Sequence, residues 1–209
     1  QDAINKGMKA REQSNSDAWD VPYLPIDPAD VGRSYEAVIR INSQSGKGGV
    51  AYILERDYGF SLPRALQIEL SKQVQETTDK TEEELPAHAI HDLFLQHYVG
   101  IQHPLHLVSH KKIIENGSTT LEVCFQIEQH EKHVQGTGNG PIDAFVHAAE
   151  TYLGKPIKLN HYSEHSAGSG ADATAVSYVS LQLDNSKEYY GVGKHPNIVT
   201  ASFYAVISA

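Results

Sequence analysis

One cysteine in 209 residues, Cys124, leaves no partner for an internal disulfide and no cysteine cluster for a metal, which suits a reducing compartment. Basic residues are outnumbered by acidic ones, 17 to 26, and the formal charge of -9 repels phosphate backbones and anionic lipid. Nucleic acid and membranes are therefore not expected as partners. No apolar run approaches the roughly 20 residues needed to cross a bilayer, and the first residues lack a basic segment leading into an apolar stretch of signal-peptide type. The expectation is a soluble, cytoplasmic protein. No serine stands in a Gly-x-Ser-x-Gly elbow. The 12 histidines include pairs at spacings that can converge, His88 with His91, His103 with His106, His130 with His133 and His161 with His165. None forms His-x-His or His-Glu-x-x-His, so they read as scattered surface residues and no metal site is expected. Cys124 has no histidine beside it in sequence and reads as a structural thiol. No self-sufficient catalytic apparatus emerges.

What is present suffices for one large core or two small ones, with 40% hydrophobic and 21% charged residues. Residues 1–34 read as a helix from Asp2 to about Arg11 and then an extended linker, because Pro22, Pro25 and Pro28 forbid a helix or a central strand. From Tyr35 to Tyr98 the pattern is helical. Leu66, Leu70 and Val74 recur every four residues after Pro63, and Ile90, Leu93, Phe94, His97 and Tyr98 form one continuous face after Pro86. The period changes to two beyond residue 104. Leu121, Val123, Phe125 and Ile127 alternate with polar neighbours, and Ala175, Ser177, Val179, Leu181 and Leu183 repeat that alternation, which predicts strands with one face on a core and the other near water. Turns are expected at Gly117-Ser118 and Asp184-Asn185. The chain thus divides into 1–34, a helical 35–104 and an α+β domain at 105–209.

Within the last domain Gly-x-Gly-x-x-Pro occurs twice, at Gly136 to Pro141 and at Gly191 to Pro196, an offset of 55 residues. Each copy precedes a helix-compatible run, Ile142–Leu153 and Asn197–Ser208, and follows strand-like segments. Two pseudo-symmetric βββα units are predicted. A Gly-x-Gly turn entering a helix has two readings: a structural turn, or a cradle in which backbone amides and the positive helix end meet a small anion. Gly46-Lys47-Gly48-Gly49 lacks the spacing of a phosphate loop and reads as a flexible turn.

Longer blocks carry a resemblance. Gln1 to Gly7, Val21-Pro22-Tyr23-Leu24-Pro25-Ile26-Asp27-Pro28, Asn42 to Tyr52, Leu62-Pro63-Arg64, Leu66-Gln67-Ile68-Glu69 and Gly138 to Phe145 resemble, in order, the C-terminal region of 2-isopropylmalate synthases of the actinobacterial type. The resemblance implies a parent acyltransferase that condenses acetyl-CoA with 2-oxoisovalerate, the committed step of leucine biosynthesis, on a divalent metal (Zn, Mg or Mn) in a TIM barrel. Neither the barrel nor its His-x-His is in this chain, so the part in hand is expected to be inactive alone and to carry no cofactor. It further implies homodimers whose linker reaches the partner's active site, where Tyr23 matches an assisting tyrosine; the chain starts just after the matching linker histidine. L-Leucine is the implied effector, bound between two regulatory domains. Gly138, Asn139 and Gly140 match the turn that meets its charged end, Pro141, Ile142 and Asp143 follow into the pocket, Leu159, Tyr162, Ser166 and Ala173 match lining positions, and Ile198 matches an apolar wall. A bulky, charged replacement of Gly138 or Gly140 is expected to abolish leucine binding and leave folding intact. Two alternatives stay open: a dimerisation module that binds no effector, and the regulatory region of a citramalate or homocitrate synthase.

Overall fold

The computed structural model describes residues 2–14, 19–32, 47–81, 85–115, 117–168, 170, 173–184 and 186–209. The chain divides into two compact units, 1–39 and 40–209. In the first, helix α1 spans Asp2–Ser14, about a turn beyond the expected end. The proline segment folds back as a tight turn in which Leu24 N donates to Val21 O at 3.2 Å. Pro22 occupies its second position and Tyr23 its third at φ 64°, the signature of a type II turn with tyrosine where glycine is usual. Trp19 Nε1 donates to Leu24 O at 2.7 Å, and the Arg11 guanidinium lies 4.8 Å from the Trp19 ring centre and 3.4 Å from Asp27. Asp27 then caps a short 3-10 turn, Pro28–Val31, by accepting from Ala29 N at 2.9 Å.

The helical reading of Tyr35 to Gly46 lies outside the described residues. Beyond them run α2 (Lys47–Tyr58), α3 (Arg64–Thr81) and α4 (Ala87–Tyr98). The four-residue period of α3 buries Leu66, Leu70, Val74 and Thr78 in one stripe. On α4 the buried positions are Ile90, Phe94 and Tyr98, while His97 stays exposed at the margin of the predicted face. Phe60, after α2, meets Phe94 edge-on with centroids 5.0 Å apart and packs the end of α2 against α4. Among the described residues no helix is long and apolar enough to cross a membrane.

Two three-stranded antiparallel sheets follow, each closed by a helix: β1 (Leu105–Glu115), β2 (Ser118–Ile127), β3 (His130–Gly138) and α5 (Pro141–Leu153), then β4 (Ile157–Ala167), β5 (Thr174–Leu183), β6 (Glu188–His195) and α6 (Ile198–Ser208). The predicted βββα duplication and α+β class are what the fold contains. Both first strands carry a register shift, between Leu107 and Ser109 and between Leu159 and His161, a further mark of the duplication. The inward residues of β2 and β5 meet α5 and α6 in one core, where Phe145 and Phe203 stack at 4.2 Å with rings 9° from parallel. His110 of β1 abuts Phe203 edge-on at 5.0 Å, so the first unit reaches the helix of the second.

Two expectations need correction. The one-sided alternation holds for β2 apart from the buried Cys124, but not for β5, which is buried from Ala175 through Leu181 on both faces. One face meets α6; the other is turned toward the helical region, to which the neighbouring strands are tied by His165 Nε2 of β4 donating to Gly59 O at 2.9 Å and Gly100 N donating to Val192 O of β6 at 2.8 Å. The repeat length also differs. A Cβ on Gly136 would stand 2.1 Å from Ala144 O and 2.3 Å from Ala148 N, and one on Gly193 would stand 1.8 Å from Ala201 O and 2.6 Å from Ala205 N. Equivalent contacts are thus 57 residues apart, and the motif offset of 55 mispairs the copies. Pro141 opens α5, whereas Pro196 precedes the cap Asn197, whose side chain accepts from Val199 N and Thr200 N.

Candidate functional site

β3 delivers the chain into α5 through Gly138-Asn139-Gly140. Gly140 caps the helix in extended backbone without a side-chain hydrogen bond, and Pro141 has no amide to offer. Asp143, in the first turn, reaches back to accept from Asn139 N at 2.9 Å. Ala144 N donates to Gly140 O at 3.0 Å, and helix geometry turns the amides of Ile142 and Asp143 outward at the positive helix end. A small zwitterion could find there both donors for a carboxylate and an acidic group for an ammonium. The two glycines differ. A Cβ on Gly138 would stand 2.6 Å from Ala144 N and from Asp143 Oδ2, so Gly138 is a packing residue and its bulky replacement would disturb the fold, against expectation. A Cβ on Gly140 would meet nothing within 4 Å.

In the second βββα unit Tyr162 and Ile198 are linked through α6, whereas Leu159, in register with Leu181 and Tyr189, lies toward the far end of that helix. Tyr162 Oη donates to Glu164 and lies 3.0 Å from Ser202 Oγ. Burial first, and then that carboxylate, push the phenol above its ordinary range. Ser202 Oγ lies 3.1 Å from the buried Ser177 Oγ and donates to Ile198 O at 2.8 Å, so Tyr162 is tied to the turn that carries Ile198, itself 40% exposed. Leu159 is half-buried against the common core. Ser166 is exposed near the end of β4, and Ala173 precedes β5. Among the described residues no hydrogen bond, ion pair or ring contact joins 138–143 to Tyr162, Ser166, Ala173 or Ile198. Ser177 was read only as a strand residue and Ser202 not at all, for nothing local marks either as a neighbour of Tyr162.

A cavity of about 230 Å³ lies elsewhere, between the first turn of α3 and the face of the second sheet turned away from α6, with Leu66, Tyr178, Glu188 and Tyr190 in its walls. Ser180 Oγ, Tyr190 Oη and Asn160 Nδ2 donate to Glu188 at 2.7, 2.8 and 3.1 Å and hold its carboxyl below the usual range. None of the predicted effector residues lines it. On the outer face of the first sheet the register sets Cys124 opposite His133, a histidine neighbour that is invisible in sequence. Burial, and then Glu131, push the Cys124 thiol above its usual range. The exposed Tyr23, at 85%, belongs to the first compact unit.

Comparison with known families places this geometry. Residues 1–55 match the family described as alpha-isopropylmalate synthase, post-catalytic domain-like, and residues 84–209 match the LeuA allosteric (dimerisation) domain, more than half of the chain. The chain belongs to the LeuA allosteric (dimerisation) domain family. The match to that family takes in α4 and both βββα units, and with them both groups of candidate residues. Its relatives include proteins named 2-isopropylmalate synthase from Mesorhizobium japonicum (49% identical over 215 residues), Brucella melitensis biotype 1 (49% over 217) and Pseudomonas syringae pv. syringae (46% over 209). Each match covers 100% of this chain, which spans 38%, 38% and 36% of those relatives.

Proposed function

We propose that this chain is the linker and leucine-responsive regulatory region of a 2-isopropylmalate synthase, working as a cytoplasmic homodimer that carries leucine feedback to a catalytic barrel supplied by the rest of the parent protein. The observation that carries this reading is the LeuA match over 84–209, joined to 49% identity with a synthase across the whole chain. The linker blocks at Val21–Pro28 and Asn42–Tyr52 support the finer assignment to the actinobacterial type. No His-x-His occurs in the 209 residues, so this chain does not supply the ligand motif of the parent's metal.

The effector reading draws its support from chemistry. The turn 138–143 suits the charged end of leucine, Ile198 suits its side chain, and the turn has no contact with Tyr162 or Ile198 within one chain. A two-fold dimer would complete the pocket by bringing one copy's turn to the other copy's β4 and α6. Leucine would then favour the regulatory arrangement it binds more tightly, and the linker would transmit that preference, with Tyr23 held outward in its turn toward the partner's barrel. An exposed tyrosine in left-handed backbone costs about 1–3 kcal/mol, a cost that function would explain.

Gly140→Asp tests the site. Aspartate at this cap would satisfy the same amides that leucine needs, and it is a favoured capping residue, so the melting temperature should hold or rise. Leucine affinity should fall by at least about tenfold, equivalent to the roughly 1.4 kcal/mol expected for one lost charge-assisted contact. Unchanged leucine affinity in this variant would refute the placement. Tight binding of isoleucine but not leucine would instead point to a citramalate-type parent.

A further inference from the structure

The outer face of β2 and β3 is a ladder of polar pairs. Thr120 and Thr137 share a hydrogen bond of 2.9 Å, and Gln135 Nε2 donates to Glu122 Oε1 at 3.2 Å. The next rung is Cys124 opposite His133, and Glu131 stands two residues before His133 on the same face of β3. Alternate residues of a strand share a face, and directly opposed residues have Cβ atoms about 4.5–5.5 Å apart. Register alone therefore brings three different donor groups together. One ligand atom from each, the Cys124 sulfur, a Glu131 oxygen and a His133 nitrogen, lie within 4.8 Å of one another, and Sγ to Oε2 measures 3.7 Å. Bonds of about 2.0–2.3 Å in a tetrahedral zinc site set neighbouring ligand atoms roughly 3.5 Å apart, so little movement is needed.

We propose that Cys124, Glu131 and His133 bind a zinc ion, with water in the fourth position. The donor set selects the metal: sulfur, imidazole and carboxylate suit a borderline-soft ion, whereas magnesium and calcium take oxygen ligands. As the zinc–sulfur bond forms, the thiol gives its proton to solvent and no electron moves. Thiolate, carboxylate and neutral imidazole then balance the two positive charges. The ligands stand on two paired strands, which fixes their spacing. Cys124, 2% exposed, forms the floor, while Glu131 and His133 are exposed and leave the site open to an ion from solution.

Cobalt(II) titrated into the untagged, chelator-treated 209-residue chain tests this, since cobalt takes the same geometry and its bond to thiolate gives a charge-transfer band in the near ultraviolet. A saturable band at one equivalent that zinc abolishes, and that Cys124→Ser removes, is the expected result. His133→Gln, at an exposed position where folding is not at stake, should weaken cobalt binding by at least about tenfold, as loss of even an indirect metal partner does. No band at excess cobalt, or a band whose affinity His133→Gln leaves unchanged, would overturn the proposal.

Discussion

Gly193→Ala should be among the most damaging single-methyl changes in this chain. The new Cβ would stand 1.8 Å from Ala201 O and 2.6 Å from Ala205 N, where ordinary contact begins at 3.4 Å. Both atoms belong to the backbone of α6, so no side chain can swing aside. The helix must retreat from β6, and with it Phe203, Ala205 and Val206 from the shared core. Overpacking of a dense core costs about 1–3 kcal/mol, and a backbone clash belongs at the upper end. At about 2–4 °C per kcal/mol for a chain of this size, a cost of about 3 kcal/mol lowers the melting temperature by about 6–12 °C. Gly140→Ala is the control. Its Cβ meets nothing within 4 Å, and the small loss of cap preference is offset by about 0.4–1 kcal/mol from a stiffer unfolded chain, so its melting temperature should stay within about 2–4 °C of the parent's. Calorimetric melts of the three proteins in one buffer read the difference. A Gly193→Ala protein melting with the control would refute the claim that bare glycine sets the approach of α6 to its sheet.

Phe203→Ala removes a fully buried ring stacked on Phe145 and should cost about 3–5 kcal/mol, read as a lower urea midpoint at unchanged slope. Ser202→Ala leaves the buried Ser177 hydroxyl and Tyr162 without their shared partner and should cost about 1–3 kcal/mol by the same assay. Burial lowers the proton affinity of His91, stacked 3.7 Å over Tyr58, and of His110 beside Phe203. The unfolded chain therefore binds these protons more readily than the folded one. Their contribution is complete above the free-histidine value of about 6.5 and is lost as pH falls below it. Melting temperature should decline from about pH 7.5 to 5.5, and the His91→Asn, His110→Asn double variant should decline less steeply.

What was legible in the sequence follows from how locally each feature is encoded. The stripe Leu66, Leu70, Val74 needs only the helical period, and the alternation of Leu121, Val123 and Phe125 needs only a sheet with one open face. β5 misled because its second cover comes from helices about a hundred residues earlier in the chain, and Val176, Tyr178 and Ser180 do not announce it. The glycine repeat was visible, but its phase was not: the repeated motif suggested pairing Pro141 with Pro196, and only the approach of Gly136 and Gly193 to their helices reveals the true correspondence. Cys124 and His133 are nine positions apart and neighbours solely through register. Of the effector candidates, the turn 138–143 is one continuous stretch and could be read as a unit, whereas Tyr162 and Ile198 come together through Ser202, a contact that depends on how α6 lies across β4 and β5.

The central claim is that this chain senses leucine, and isothermal titration of the purified chain with L-leucine, at a concentration where it is dimeric by light scattering, tests it most directly. The account predicts saturable binding, stereoselective against D-leucine and absent or much weakened in Gly140→Asp. A folded dimer that gives no heat with L-leucine at any concentration or temperature tested would contradict it.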